Sequence, residues 1–166
     1  MVSFIKTVAA GLALVSSASA VRITFVNQDD APRKIVHWAA EAGLYPSAEI
    51  PERWVGPYET IHIDYPAPWW NGAFRSCKAD QVCHHPAVRA EVCLNCNEGR
   101  NWFDVSAVDN HTDNTGIHFI RANDKPYDDD GWSGCVEFPC PTCYLYPNDE
   151  RTKRPTYGDL TVEMKG

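Results

Sequence analysis

No part of this sequence carries a sustained helical period, no segment is repeated in tandem, and after the first residues no apolar run is long enough to cross a bilayer. The first absence leaves little room for regular helix, and the second argues against a repeat array. The third removes a membrane-spanning role. Positive charge is also scarce: 15 Lys and Arg stand against 22 Asp and Glu, a formal net charge of −7. Proteins that grip a nucleic-acid backbone depend on clustered Lys and Arg, so no nucleic-acid partner is expected. An acidic surface suits a neutral polysaccharide, a basic partner or plain solubility.

The one apolar run that is present lies at the start. Residues 1–20 read as a secretory signal, with Lys6 near the front, an apolar stretch over 8–15, and small residues ending Ala18-Ser19-Ala20. Cleavage after Ala20 leaves residues 21–166 as one domain, with an extracellular or cell-wall address and no membrane contact.

All seven cysteines, Cys77, Cys83, Cys93, Cys96, Cys135, Cys140 and Cys143, fall in that domain. In an exported chain they are read first as disulfides. An odd number leaves one free, capped or shared, so a monomer is expected, with a disulfide-linked dimer through the odd cysteine as the variant. The rival arrangement joins Cys93-x-x-Cys96 and Cys140-x-x-Cys143 in a tetrathiolate zinc site, which an oxidising compartment disfavours. His84-His85 beside Cys83 suggests a metal, yet adjacent side chains rarely aim at one ion. No metal and no cofactor is expected.

Alternation of apolar and polar residues over 21–25, 60–65, 103–107 and 160–164, strict over 60–65, marks strands, and 34–39 and 116–121 are further strand candidates. Pro, Gly and Asx clusters separate them, and 43–57, 78–90 and 123–131 read as loops. The expectation is an all-β protein, an antiparallel β-sandwich stabilised by disulfides and carrying long loops. Trp69 and Trp70, after Pro66-Ala67-Pro68, fall in a turn, where their flat faces could stack on sugar rings or cover one end of the sandwich.

The run Asn101-Trp102-Phe103-Asp104-Val105-Ser106-Ala107-Val108-Asp109 holds the candidate site. Asp104 lies on the polar face of its strand while Phe103, Val105 and Ala107 feed the core. Asp109, an odd step later, shares that face only if the strand ends or bends near Val108. The turn formers Asn110-His111-Thr112-Asp113-Asn114 allow such an ending. They also place a glycosylation sequon at Asn110.

Ala90-Glu91-Val92-Cys93-Leu94, Phe103-Asp104-Val105-Ser106, Val108-Asp109 and Cys140-Pro141-Thr142-Cys143-Tyr144-Leu145-Tyr146 together resemble the thaumatin-like proteins. The resemblance implies an acidic cleft lined by Glu91, Asp104 and Asp109, with Arg53 the nearest candidate for the family's cleft arginine. It implies β-1,3-glucan of the cell wall as ligand, and a local bridge between Cys77 and Cys83. Two departures stand out: Asn27-Gln28-Asp29-Asp30 lacks the usual cysteine, so the bridge clamping the N-terminus should be absent, and Cys143 replaces an alanine. A bridge between Cys93 and Cys96 meets the objection that three steps along an extended strand separate the two side chains.

The leading expectation is thus a secreted protein that binds or remodels cell-wall β-glucan. The alternative is an effector or defence-type interaction protein, bound to an extracellular protein and without catalysis. The second alternative is a weak endo-β-1,3-glucanase using Glu91 and Asp104 as its two carboxyls.

Overall fold

The computed structural model describes residues 20–39, 50–65, 68–81, 83, 87–126, 131–149 and 154–166. The leader over 1–19 and the pair His84-His85 lie outside the described residues.

The described chain forms ten strands: β1 (Val21–Asn27), β2 (Arg33–Ala39), β3 (Arg53–Val55), β4 (Thr60–Tyr65), β5 (Trp70–Lys78), β6 (Arg89–Cys96), β7 (Arg100–Ser106), β8 (Gly116–Ala122), β9 (Trp132–Gly134) and β10 (Leu160–Lys165). They make two five-stranded sheets, β4-β1-β10-β8-β9 and β3-β2-β5-β6-β7. Every pairing is antiparallel except β1 with β10, which run parallel with Ile23 opposite Leu160 and Phe25 opposite Val162. The all-β sandwich is therefore present, with one parallel pair at the centre of its first sheet.

The period-2 alternation explains why the sheets face each other. In β1, Val21, Ile23 and Phe25 are buried while Arg22 is exposed. In β6, Ala90, Val92 and Leu94 turn inward and Arg89, Glu91 and Cys93 outward. Ile23, Phe25, Ile120 and Val162 of the first sheet thus meet Ile35, Phe74, Leu94 and Val105 of the second in one core. Each such side chain contributes roughly 1.5–3 kcal/mol by leaving water.

Two short strands were not expected from the sequence, β3 inside the loop read over 43–57 and β9 just after the loop read over 123–131. β3 and β9 have three residues each, too few to display a period. β5 begins at Trp70, so Trp70 is not a turn residue. Its indole is 1 % exposed, against the Tyr65 ring at 4.9 Å, and only Trp69 of the pair is partly exposed. Gly72 permits this packing, because a Cβ there would lie 2.6 Å from the Trp70 ring and 2.2 Å from the Trp38 carbonyl oxygen.

The first turn, without a cysteine, is held by polar contacts. Asn27 Nδ2 donates to the carbonyls of Ala31 and Gly56, both at 2.8 Å. Arg33, fully buried, pairs with Asp29 and donates to the Gly166 carbonyl at 2.8 Å, tying β2 to the end of β10.

Three disulfides are formed: Cys77–Cys83, Cys93–Cys96 and Cys135–Cys140, with Cα separations of 5.5, 5.7 and 5.8 Å. The extended-strand objection to Cys93–Cys96 does not apply, because β6 is irregular there and Asn95 adopts φ 55°. The odd cysteine is Cys143, which is 1 % exposed. Its sulfur is turned into the fold, away from the surface that an intermolecular bridge would need.

Candidate functional site

Because β5, β6 and β7 follow one another as an antiparallel meander, their outward residues line up in rows across the second sheet. Ala73 faces Glu91, and Glu91 faces Asp104. Trp38 of β2 faces Ala73 on the other side, completing a row of Trp38, Ala73, Glu91 and Asp104. Arg75 and Arg89 are the next outward residues of β5 and β6, alongside this row.

β7 ends at Ser106, and the turn that follows carries Asp109 back over the same face. Arg75 Nη2 donates to Asp109 Oδ2 at 2.6 Å, and Arg89 Nη1 donates to the same oxygen. Arg89 Nε donates to Glu91 Oε1 at 2.5 Å. The structure therefore brings Glu91, Asp104 and Asp109 together, with two guanidinium groups set among them. The Arg75 side chain is 12 % exposed, those of Arg89, Glu91 and Asp109 between 24 and 35 %, and Asp104 is buried.

Arg75 also lies over the Trp38 ring, its Cζ 5.2 Å from the centroid, a contact favoured by the ring quadrupole. Burial pulls its pKa below the ordinary arginine value despite the attraction of Asp109. For Arg89 burial acts in the same direction, but the hydrogen bond and charge of Glu91, with the charge of Asp109, outweigh it and raise the pKa. A planar fork with five donors suits this double engagement better than a lysine ammonium would.

Open depressions run along this face. One of about 360 Å³ lies between Arg75, the Cys77–Cys83 bridge, Asp80 and Asp113, with Asn110 on its wall. A second, of about 250 Å³, is lined by Trp38, Ala73, Arg75 and Arg89. Glu91, Asp104, Trp102 and Asn71 line a third of about 160 Å³.

The remaining sequence candidates lie elsewhere. Arg53 is exposed on edge strand β3, opposite the inward-facing Ile35 and separated from β6 by β2 and β5. It is not the arginine of this cluster, because strand parity turns it away from the outer row. Trp70 is in the core and cannot stack on a ligand. Arg100 pairs with Glu98 at 2.9 Å and stands outside the cluster. Arg75 and Trp38 are the residues that sequence reasoning missed. The available signal was the alternation of Ala73, Arg75 and Cys77 with the buried Gly72, Phe74 and Ser76.

The cluster is chemically a set of mutually neutralising charges. Glu91 and Asp109 direct carboxylate oxygens at guanidinium donors, and Asp104 is covered. What the face offers a ligand is an arginine–tryptophan stack bordered by these ion pairs.

No family model matches the chain. The antigenic protein SchS21 of Stachybotrys chartarum is 31 % identical over 134 residues, spanning 79 % of this chain and 85 % of that protein. The protein elicitor MoHrip2 of Magnaporthe oryzae has a similar fold, with a TM-score of 0.60, 11 % identity, and coverage of 89 % of this chain and 100 % of that one. These relatives overturn the thaumatin-like assignment. Its motifs on β6 and β7 are short strand segments in which an outward acid alternates with inward apolar residues, a pattern that any half-buried strand can display. The β-glucan specificity and the cleft role of Arg53, drawn from that resemblance, go with it. The chain belongs to the family of the Stachybotrys chartarum antigenic protein SchS21.

Proposed function

We propose that this chain is an exported interaction protein of the effector or defence type, which engages an extracellular protein through the outer face of β5, β6 and β7 and performs no catalysis. The observation that carries the reading is the engagement of the clustered carboxylates by Arg75 and Arg89. A glycoside hydrolase presents two free carboxyls to the bond it cleaves, one as proton donor and one as base or nucleophile. Here Glu91 and Asp109 face arginines and Asp104 is buried, which suits recognition better than proton transfer.

Two further features support the reading. Trp and Arg are among the residue types enriched in the anchors of protein interfaces, and Trp38 of β2 stacks on Arg75 where this face meets β2, with Trp54 of β3 53 % exposed beyond it. The relative SchS21 is an antigenic protein, a property compatible with an extracellular product encountered by another organism.

The test is a comparison of ligand classes. The purified chain is incubated with insoluble β-1,3-glucan, chitin and cellulose, with an assay of released reducing ends. In parallel it is titrated onto intact plant and mammalian cells, followed by cross-linking to surface proteins. The expected result is no retention on the polymers, no released sugar ends, and saturable binding to a cell-surface protein on one of the cell types. Replacing Arg75 and Arg89 by Glu should weaken that binding about tenfold or more, as loss of charged anchors does. Retention on a polymer, or saturable binding unaffected by the double replacement, overturns the reading. A glycan at Asn110 would stand on the wall of the depression beside Arg75, so the comparison is made with and without N-glycanase treatment.

A further inference from the structure

Three sulfur atoms meet where the turn after β9 packs against the core. Cys135 and Cys140 are joined, Cys143 is a thiol, and the three Sγ atoms lie within 4.8 Å of one another. Cys140-Pro141-Thr142-Cys143 forms a turn in which the Cys143 N–H points to the Cys140 carbonyl at 3.5 Å. The Cys143 thiol donates to the same carbonyl at 3.2 Å. A turn of this kind holds its first and fourth Cα atoms within about 7 Å, and disulfides close at about 4.4–6.8 Å. The chain itself shows that a three-residue step can be bridged, since Cys93 and Cys96 are joined with a Cα separation of 5.7 Å. Cys140 thus has two competent partners, Cys135 before it and Cys143 after it.

Access to the sulfurs is unequal. Cys135 and Cys143 are each 1 % exposed, whereas Cys140 is half-buried. The Cys135–Cys140 bridge forms part of the wall of an open, mainly apolar cavity of about 560 Å³, together with Phe119, Trp132, Val136 and Thr142. A small thiol entering that cavity meets Cys140 first, with Cys143 waiting behind it.

We infer that Cys135, Cys140 and Cys143 form a thiol–disulfide exchange site, in which a low-molecular-weight thiol opens the Cys135–Cys140 bond at Cys140 and Cys143 then displaces it. In the first step the incoming thiolate bonds to Cys140 Sγ. The bond to Cys135 breaks, and its electron pair leaves on Cys135 Sγ, which takes a proton from solvent. In the second step Cys143 loses its proton to solvent, attacks Cys140 Sγ and expels the small thiolate. One thiol enters and the same thiol leaves, so neither oxidant nor reductant is consumed. Burial raises the pKa of Cys143 above the ordinary thiol value, which holds it protonated at neutral pH and keeps the unassisted exchange slow. The outcome is a second covalent state, with Cys140–Cys143 bridged and Cys135 free in the wall of the cavity. This activity is independent of the interaction proposed above.

The full chain is incubated with reduced glutathione under native conditions, quenched in acid, then unfolded with N-ethylmaleimide. Cleavage after Glu137 places Cys135 on one peptide and Cys140 with Cys143 on the next. Before incubation the two peptides should be cross-linked, with the label on Cys143. After incubation a fraction of the Cys135 peptide should be separate and labelled, and its partner should carry an internal bridge. Cys143→Ala should accumulate a glutathione adduct on Cys140 at least tenfold above the parent. The mapping of the unaltered chain decides the matter even if that variant fails to fold. A label that stays on Cys143 throughout, or an adduct equally abundant in parent and variant, overturns the inference.

Discussion

Glu91 and Asp104 stand directly opposite each other on β6 and β7, two acidic side chains paired across adjacent strands. Like charges in that position destabilise a sheet, and Arg89, bonded to Glu91 at 2.5 Å, offsets the repulsion. This predicts a reversal of sign. In the parent, Glu91→Gln should cost at most about 1 kcal/mol, because the ion pair is partly exposed. In an Arg89→Met background the same change should stabilise the fold by a similar amount. Urea titrations of the four combinations measure the coupling, and additive effects would refute the assigned role of Arg89.

His37 provides a pH dependence. It is largely but not fully buried, with Nε2 2.7 Å from the Tyr65 hydroxyl, and burial together with the charge of Arg53 lowers its pKa from 6.5 to about 4. Between those values the unfolded chain binds a proton that the folded chain refuses, so stability falls as pH drops through the window. The loss should approach roughly 3 kcal/mol by the lower end. His37→Asn should remove most of this slope, read from denaturant midpoints at about pH 7 and about pH 4.

Gly134 and Gly99 both have positive φ, at 131° and 76°, but their surroundings differ. A Cβ on Gly134 would lie 2.0 Å from the His118 carbonyl oxygen, whereas one on Gly99 would meet nothing within 4 Å. Gly134→Ala should therefore cost about 2–4 kcal/mol, and Gly99→Ala only about 1 kcal/mol of backbone strain. Thermal melts of the two variants should show the difference plainly.

Arg33 predicts a more local effect. Replacing it with Met leaves Asp29 without its buried partner and frees the end of β10, at a cost of about 3 kcal/mol or more. Amide exchange should accelerate in β10 and in residues 28–31 before it does so in β6. Uniform acceleration across both sheets would contradict the proposed clamp.

Much of this fold was legible because alternation is a local property. Residues 60–65 were read as a strand and are one, and the segments over 116–121 and 160–164 each lengthen by a single residue in the structure. Pairing is not local. Nothing in the order of residues announces that β10 lies between β1 and β8, or that it runs parallel to β1. The same limit applied to the site. Glu91, Asp104 and Asp109 could be named as candidates from their side chains and turn, with Arg89 among the possible partners, but the choice of Arg89 and the arrival of Arg75 depend on the register of three strands. Arg53 was chosen by its place in the sequence, and strand parity sends it to the wrong face. The family resemblance failed for a related reason: short runs record which face is buried and carry no information about which strand lies next to which.

The placement of β10 has a consequence for assembly. Gly166 bonds back to Asp29 across 137 positions, whereas the three disulfides span only 6, 3 and 5. The cross-links can therefore form on a chain that has not yet found its topology, and none of them brings the distant strands together. The final closure rests on non-covalent contacts, the β10 ladders, the bonds of Gly166 and side-chain burial, the kind of long-range step that takes milliseconds to seconds. Until it occurs, β1 and β8 each present an open edge rich in Val, Ile and Phe. During that interval the greatest hazard to the protein is another copy of itself, offering the same missing strand.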